Sequence, residues 1–186
     1  MDHDPAPAIV TDRLRLEPFT LTDSESILSG RRELSWAPGY PTAGDREVAQ
    51  WVSSPRFLPQ DPRFGPRKIL LRQGGVVVGG VGFHGAPRDG EVEIGFGIAP
   101  EWRGQGIGAE AVTAFVRYAF TLPGVRRIRA ETEPGNEASG RTLGRAGLAL
   151  VADAGGRRQY AAARAAAPVS GIGGTEGPGG ASPSGP

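Results

Sequence analysis

The sequence predicts an α+β domain, and three neighbouring stretches carry that expectation. EVEIGFGI (91–98) alternates strictly, with Val92, Ile94, Phe96 and Ile98 on one face and Glu91, Glu93, Gly95 and Gly97 on the other. That is the period of a half-buried strand. From Ile107 the period changes to helical, with Ala111, Ala114, Phe115, Tyr118 and Ala119 on one face and Glu110, Thr113 and Arg117 opposite. Between the two runs EWRGQGIG (101–108), where glycines alternate with Gln105 and Ile107 directly behind Arg103.

The other elements follow in order along a chain of 186 residues, long enough for one domain with a proper core. RLRLEPF (13–19) alternates charge with leucine and closes on Pro18, a strand. Thr22 and Glu25 stand at capping-box spacing ahead of Ile27 and Leu28, which starts a short helix. SWAPGYPTAGD (35–45) reads as loop, DREVAQWV (45–52) as a helix presenting Val48, Trp51 and Val52, and the proline-rich 53–67 as irregular chain. KILLRQGGVVVGGVGFHG (68–85) gives two strands around Gln73-Gly74-Gly75, and PRDG (87–90) marks the next turn. Glycines facing out of the 91–98 strand mark a bulge or the close approach of a backbone or ligand. VRRIRAETE (125–133) is again a strand, and NEASGRTLGRAGL (136–148) a helix with Asn136 at its cap and Gly147 just past its end. Gly140 and Gly144 inside that helix each cost about 1 kcal/mol relative to alanine. ALVAD and RRQYAAA are weaker closing strands. The domain therefore spans 10–160, between a flexible N-terminus (1–9) and a disordered Gly/Pro/Ala-rich tail (161–186) too poor in large apolar residues to offset its ordering entropy.

Composition excludes several function classes. Lys+Arg at 21 against Asp+Glu at 20, with no long basic run, gives no support to nucleic-acid binding. Cysteine is absent, which removes disulfides and cysteine catalysis and fits a cytoplasmic protein. Neither a signal peptide nor an apolar run of membrane-spanning length is visible. Two separated histidines and no cysteine leave no metal-ligand cluster, so no metal is expected.

A strand, a glycine-rich turn and a helix N-terminus together make an anion site. The first amides of a helix lack intrahelical partners, and the helix dipole adds about half a positive charge there. Glycines let a phosphate approach those amides, and Arg103 adds a guanidinium fork. The order Gly104-Gln105-Gly106-Ile107-Gly108 fails the dinucleotide pattern G-x-G-x-x-G, and no P-loop lysine follows. The spacing that fits is R-x-x-G-x-G, on Arg103, Gly106 and Gly108.

In that spacing and its surroundings the chain resembles the GNAT N-acetyltransferase superfamily, in the branch that includes the ribosomal-protein N-terminal acetyltransferases RimJ and RimL. TDRLRLEPFTLTD, GYPTAGDREVAQWV, VGGVGFHG, EVEIGFGIAPEWRGQGIGAEAV and ETEPGNEASGRTLGRAGL match its blocks in order over about residues 11–150. The resemblance implies a mixed, strongly twisted sheet whose fourth and fifth strands splay apart, flanked by helices. It implies acetyl-CoA as cosubstrate, with pantetheine lying along Phe96, Gly97 and Ile98 and the pyrophosphate held by Arg103, Gly104, Gln105, Gly106, Ile107, Gly108 and Ala109. Asn136 and Ser139 match the family's N-x-x-S spacing, Asn136 bonding the pantetheine arm and Ser139 donating to the leaving sulfur. The local alternative is that Asn136 caps the helix and Ser139 is its third residue. The chain departs from the branch at Gly97, where an aromatic often follows Phe96, and at Gly140 and Gly144, which replace bulkier residues. A wider acceptor cleft and a more loosely packed late helix are expected.

Acetyl transfer to an amine at neutral pH needs the amine deprotonated, by a base or by a desolvating pocket. Glu93, on the glycine face of its strand, is the candidate base, against the alternative of a salt-bridged surface glutamate. His84 at the end of the preceding strand, with Trp36 and Tyr40 in their loop, forms the acceptor-side set, while Trp51 and Tyr118 read as core. Tyr160 is a candidate acid whose surroundings match nothing in the family. The expected activity is acetyl-CoA-dependent acetylation of a primary amine, a protein N-terminus or a small molecule, in a direct ternary complex. The alternative is a non-catalytic acyl-CoA-binding module or sensor. Monomer and homodimer are both left open.

Overall fold

The computed structural model describes residues 6–54 and 61–165. Its strands form one mixed sheet in the order β1-β2-β3-β4-β5-β6-β8-β7. The chain enters through β1 (Ile9–Val10), a short strand not anticipated from the sequence, and turns back as β2 (Leu14–Pro18), whose Leu14 and Leu16 are fully buried. The fourth and fifth strands of the sequence reading are therefore β5 and β6.

Two capping boxes start the first helices. Before α1 (Leu21–Leu28), the Thr20 hydroxyl accepts from Asp23 N, and the Asp23 carboxylate accepts from Thr20 N. The box thus lies two residues earlier than Thr22 and Glu25 suggested, fixed there because Asp23 is also gripped by Lys68 Nζ at 2.7 Å. Before α2 (Ala43–Val52), Thr42 and Asp45 repeat the arrangement. The two helices pack on each other, with Ser24 Oγ donating to Ala49 O.

β3 (Arg67–Leu71) and β4 (Val77–Phe83) form an antiparallel hairpin, and β5 (Glu91–Ile98) adds antiparallel to β4 through Gly79↔Ile98, Val81↔Phe96 and Phe83↔Ile94. Neighbouring residues of β3 assign the layers: Lys68 reaches Asp23 of α1, while the Arg67 guanidinium lies 4.6 Å from the Tyr118 ring centroid in α3 (Ile107–Thr121). Side chains alternate across a strand, so α1 and α3 cover opposite faces of the sheet. The core beneath α3 is built on Phe83 and Phe115, both buried with centroids 4.6 Å apart. Each such ring contributes about 1.5–3 kcal/mol by leaving water.

β5 runs parallel to β6 (Arg127–Thr132), but only through Glu91↔Arg127, Val92↔Ile128 and Glu93↔Arg129. Past Glu93 the two strands part, which is the expected splay. α4 (Glu137–Arg145) follows, with Asn136 Oδ1 accepting from Ser139 N at 3.1 Å, and the chain leaves it through Gly147 at φ +90°. β8 (Arg157–Ala163) pairs with β6, and β7 (Ala149–Ala154) closes the edge.

The folded unit reaches past both limits of the expected 10–160 span. Ala6 is buried, Pro7 O accepts from Arg67 Nη1 at 2.7 Å, and Ile9 is in the sheet. At the other end, Ala161–Ala163 pair with Arg127–Arg129, and Arg164 N donates to Arg126 O at 2.8 Å. The Arg164 guanidinium donates to Phe120 O and, at 3.0 Å, to Leu122 O, closing the C-terminal end of α3. Most of the tail expected to be disordered, 166–186, lies outside the described residues, as do 1–5 of the N-terminus. Among the described residues no helix is long and apolar enough to cross a membrane.

Candidate active site

The chain leaves β5 at Ile98, makes a short 3-10 turn at Pro100–Trp102, and reaches the glycine loop. Gly104 (φ +75°) and Gly106 (φ +78°) are left-handed, so backbone conformation alone demands glycine at both. Gly106 caps α3 and offers no side chain to its amides. The first helical hydrogen bond is Glu110 N to Gly106 O at 3.0 Å, which leaves the amides of Ile107, Gly108 and Ala109 without intrahelical carbonyls. Gly108 is different. Its φ is not left-handed, and a Cβ there would make only ordinary contacts, 3.5 Å from Ile98 Cγ1 and 3.8 Å from Thr142 Cγ2. Neither backbone nor packing asks for glycine at 108. Arg103 is exposed, with Nε donating to Ile98 O at 2.9 Å.

The start of the chain braces this cradle, a role the sequence did not reveal. The Glu110 carboxylate accepts from Thr11 Oγ1 (2.6 Å), Arg13 N (3.0 Å) and Arg13 Nε (2.6 Å), while Arg13 Nη1 donates to Gln105 O at 3.1 Å. Desolvation pushes the Glu110 carboxyl up, but the Thr11 and Arg13 hydrogen bonds outweigh it and hold the group below its ordinary value.

One edge of β5 is open beyond Glu93. Glu93 O accepts from His84 N, and Ala99 N donates to Val78 O, so the odd-numbered positions turn their backbone groups to β4. By antiparallel alternation, Ile94, Phe96 and Ile98 turn theirs to the splay. Phe96 and Ile98 thus face the slot, whereas the Gly97 backbone is spent on β4. Asn136 and Ser139 stand at the N-terminus of α4. The asparagine makes the local cap described above, and among the described residues the Ser139 hydroxyl makes no hydrogen bond.

A cleft of about 440 Å³ lies between α2 and strands β4 and β5. Its floor is Gly80, Gly82, Gly95 and Gly97. Some of these glycines admit side chains of the protein itself. A Cβ on Gly80 would fall 2.8 Å from Asp45 Oδ1, and one on Gly95 2.5 Å from His84 Nε2. Burial pushes the Asp45 carboxyl up despite its bonds to Thr42 N and Oγ1.

The sequence-derived acceptor set divides. His84 lines the cleft. Trp36 and Tyr40 are not among its lining residues: they are 7% and 2% exposed, edge to face at 5.4 Å in the core. Their loop is tied down by backbone bonds between Val77 and both Ser35 and Ala37. Trp51, read from sequence as core, instead lines the cleft and is 38% exposed. Glu93 is ion-paired, with Oε2 2.5 Å from Arg129 Nη2 and Oε1 3.0 Å from His84 Nδ1. Tyr160 is buried, its hydroxyl over Gly140, where a Cβ would meet it at 2.5 Å. The glycine thus makes room for a close contact, and the loose packing expected at that position is not what the structure has.

Comparison with known proteins agrees with this geometry. Residues 13–149 match the family model described as acetyltransferase (GNAT) domain. The Bacillus subtilis (strain 168) protein "Uncharacterized N-acetyltransferase YoaA" is 32% identical over 142 residues, covering 74% of this chain and 80% of that protein. Among solved structures, the ribosomal alpha-N-protein acetyltransferase RimL in complex with coenzyme A superposes with a TM-score of 0.61 at 19% identity, over 84% of this chain and 98% of its own. The aminoglycoside acetyltransferase AAC(6')-Ib in complex with coenzyme A superposes at 0.58 and 20% identity, over 81% and 95%.

Proposed function

We propose, proceeding from the GNAT acetyltransferase family to which this chain belongs, that the protein transfers an acetyl group from acetyl-CoA to a primary amine within a direct ternary complex. The carrying observation is Gly108, a glycine that neither φ nor packing requires, in the uncapped first turn of α3. The residues present fit acetyl-CoA. Arg103 and the amides of Ile107, Gly108 and Ala109 would hold its pyrophosphate, and Gly104, Gln105 and Gly106 shape the loop that aims them. Phe96 and Ile98 offer backbone groups to the pantetheine, with the Asn136 amide at the facing helix. Bound there, acetyl-CoA supplies the acetyl group as a thioester.

The slot and the cleft lie on two sides of one strand, so donor and acceptor can be held together and transfer needs no enzyme-bound acetyl group. Holding both partners in place is itself a large part of such catalysis. The acceptor ammonium must give up a proton before it attacks, and His84, paired with Glu93, lines the cleft. Ser139, with a hydroxyl unclaimed by the described residues, is the proposed proton donor to the departing sulfur. The likeness to RimL favours the RimJ/RimL-like branch, with a protein N-terminus as acceptor. The aminoglycoside enzyme keeps a small amine within the same reading.

Acetyl-CoA at a hundred times its dissociation constant should stabilise the fold by about 2.7 kcal/mol, with NAD and ATP falling short at equal concentration. Free-thiol release with a panel of peptides and small amines then tests turnover. Stabilisation by acetyl-CoA with no thiol release for any amine would replace the enzyme by an acyl-CoA-binding sensor.

A further inference from the structure

We infer that His84 is the group that takes the proton from the acceptor amine, and that Glu93 acts through it as a positioning residue. The inference rests on the acetyltransferase reading above. A carboxylate can only accept hydrogen bonds, so the 3.0 Å contact between His84 Nδ1 and Glu93 Oε1 requires the ring to carry its proton on Nδ1. In the neutral ring Nε2 is then the bare nitrogen. It lies over Gly95, close enough that a Cβ there would come within 2.5 Å, on the glycine floor of the acceptor cleft. Glu93 cannot do the same work directly. Its second oxygen is held by Arg129 at 2.5 Å, and it is absent from the cleft lining that includes His84.

The charged groups around the ring are arranged for a proton that arrives and leaves. On β5 and β6, Glu93 faces Nδ1 and Arg129 anchors Glu93, while Arg129 also reaches Glu91 (3.5 Å) and Glu131 (3.7 Å). From α2, Asp45 and Glu47 line the cleft, and β3 adds Arg67 to the same lining, so two acidic residues and one basic residue border an incoming ammonium. Nε2 takes one proton from that ammonium, and the imidazolium so formed is balanced by Glu93. The freed lone pair forms the C–N bond as the C–S bond breaks with its electrons on sulfur. The second proton shed by nitrogen leaves with the thiol, and the proton on Nε2 passes to solvent. One proton is released per turnover.

Two readouts test this. The first uses the protein alone: the imidazole nitrogen resonances of His84 should show the Nδ1–H tautomer, and Glu93→Gln should alter the tautomer distribution. An Nε2–H tautomer in the wild type would overturn the inference, whatever the protein acetylates. The second is turnover from pH 6 to 9.5 with one good amine. His84→Gln should lose about a hundredfold in kcat near pH 7 and recover most of it at high pH, where the amine arrives neutral. Gly95→Ala should reproduce that profile, because the added methyl evicts the ring while leaving every proton-carrying group in the protein. Glu93→Gln should lose less than His84→Gln. Acetyl-CoA affinity measured by thermal shift should change less than twofold in His84→Gln and Glu93→Gln. Should His84→Gln keep wild-type kcat at pH 7 while Glu93→Gln loses a hundredfold, the roles are reversed and the inference fails.

Discussion

Replacing Gly108 by alanine should move stability and cofactor affinity in opposite directions. The position is the second residue of α3, with φ outside the left-handed region, and the new methyl would sit at van der Waals distance from Ile98 Cγ1 (3.5 Å) and Thr142 Cγ2 (3.8 Å). Alanine is worth up to about 1 kcal/mol over glycine inside a helix, less in the first turn, so a gain of about 0.5 kcal/mol is expected. For a domain of this size that raises the melting temperature by roughly 1–2 °C. The same methyl stands between the end of β5 and α4, at the mouth of the slot beside the uncapped amides. It should raise the dissociation constant of acetyl-CoA at least tenfold, about 1.4 kcal/mol. Unfolding of the free protein in urea gives the first quantity, and calorimetric titration with acetyl-CoA the second. A stabilised variant that binds acetyl-CoA as tightly as wild type would refute the argument that ligand approach explains this glycine.

Glu110→Gln removes a carboxylate that accepts three hydrogen bonds, and should cost about 1 kcal/mol at pH 7, discounted for the half-exposed Arg13. Because the folded carboxyl is held below its ordinary value, the wild-type advantage is present at neutral pH and is lost as pH falls through that lowered pKa. Urea midpoints of both proteins from pH 7 down to 3 should converge, and a gap that widens in acid would contradict the clamp. Gly140→Ala should destabilise by about 1 kcal/mol, since the strain of driving a methyl into the Tyr160 hydroxyl exceeds the gain in helix propensity. Adding Tyr160→Phe should restore most of the loss. Gly144→Ala, with nothing within 4 Å of its Cβ, should instead stabilise by up to about 1 kcal/mol, and equal effects at the two glycines would show that the hydroxyl contact does not matter.

What could be read from the sequence was local and periodic. The alternation of 91–98, the helical period from Ile107 and the Asn136 cap survive as β5, α3 and α4, because each depends on residues within a turn or two of one another. The cap of α1 was misplaced because Thr20/Asp23 and Thr22/Glu25 both satisfy the spacing, and Lys68, 45 residues away, decides between them. The His84–Glu93 pair needed the register of β4 on β5. That register places residues summing to 177 opposite each other, as in Phe83↔Ile94, but the irregular turn at 85–90 allows other sums. Trp36 and Trp51 exchange the environments assigned to them, since a loop aromatic can fold under a sheet edge and a helical one can overhang a cleft. The contacts of Thr11 and Arg13 with Glu110 join residues 99 and 97 positions apart and leave no local trace.

Those same contacts, taken with Arg164, mean that α3 is pinned at its head by the first strand turn and at its tail by the residue that follows β8. Both ends of the described fold thus converge on α3, whose first-turn amides have no intrahelical carbonyls. Amide exchange along α3 should therefore report on damage at either terminus. Trimming into residues 11–13 or back to 160 would loosen the helix from opposite ends, and a fusion that tugs on either end should register first as weaker binding of the proposed acetyl-CoA rather than as unfolding.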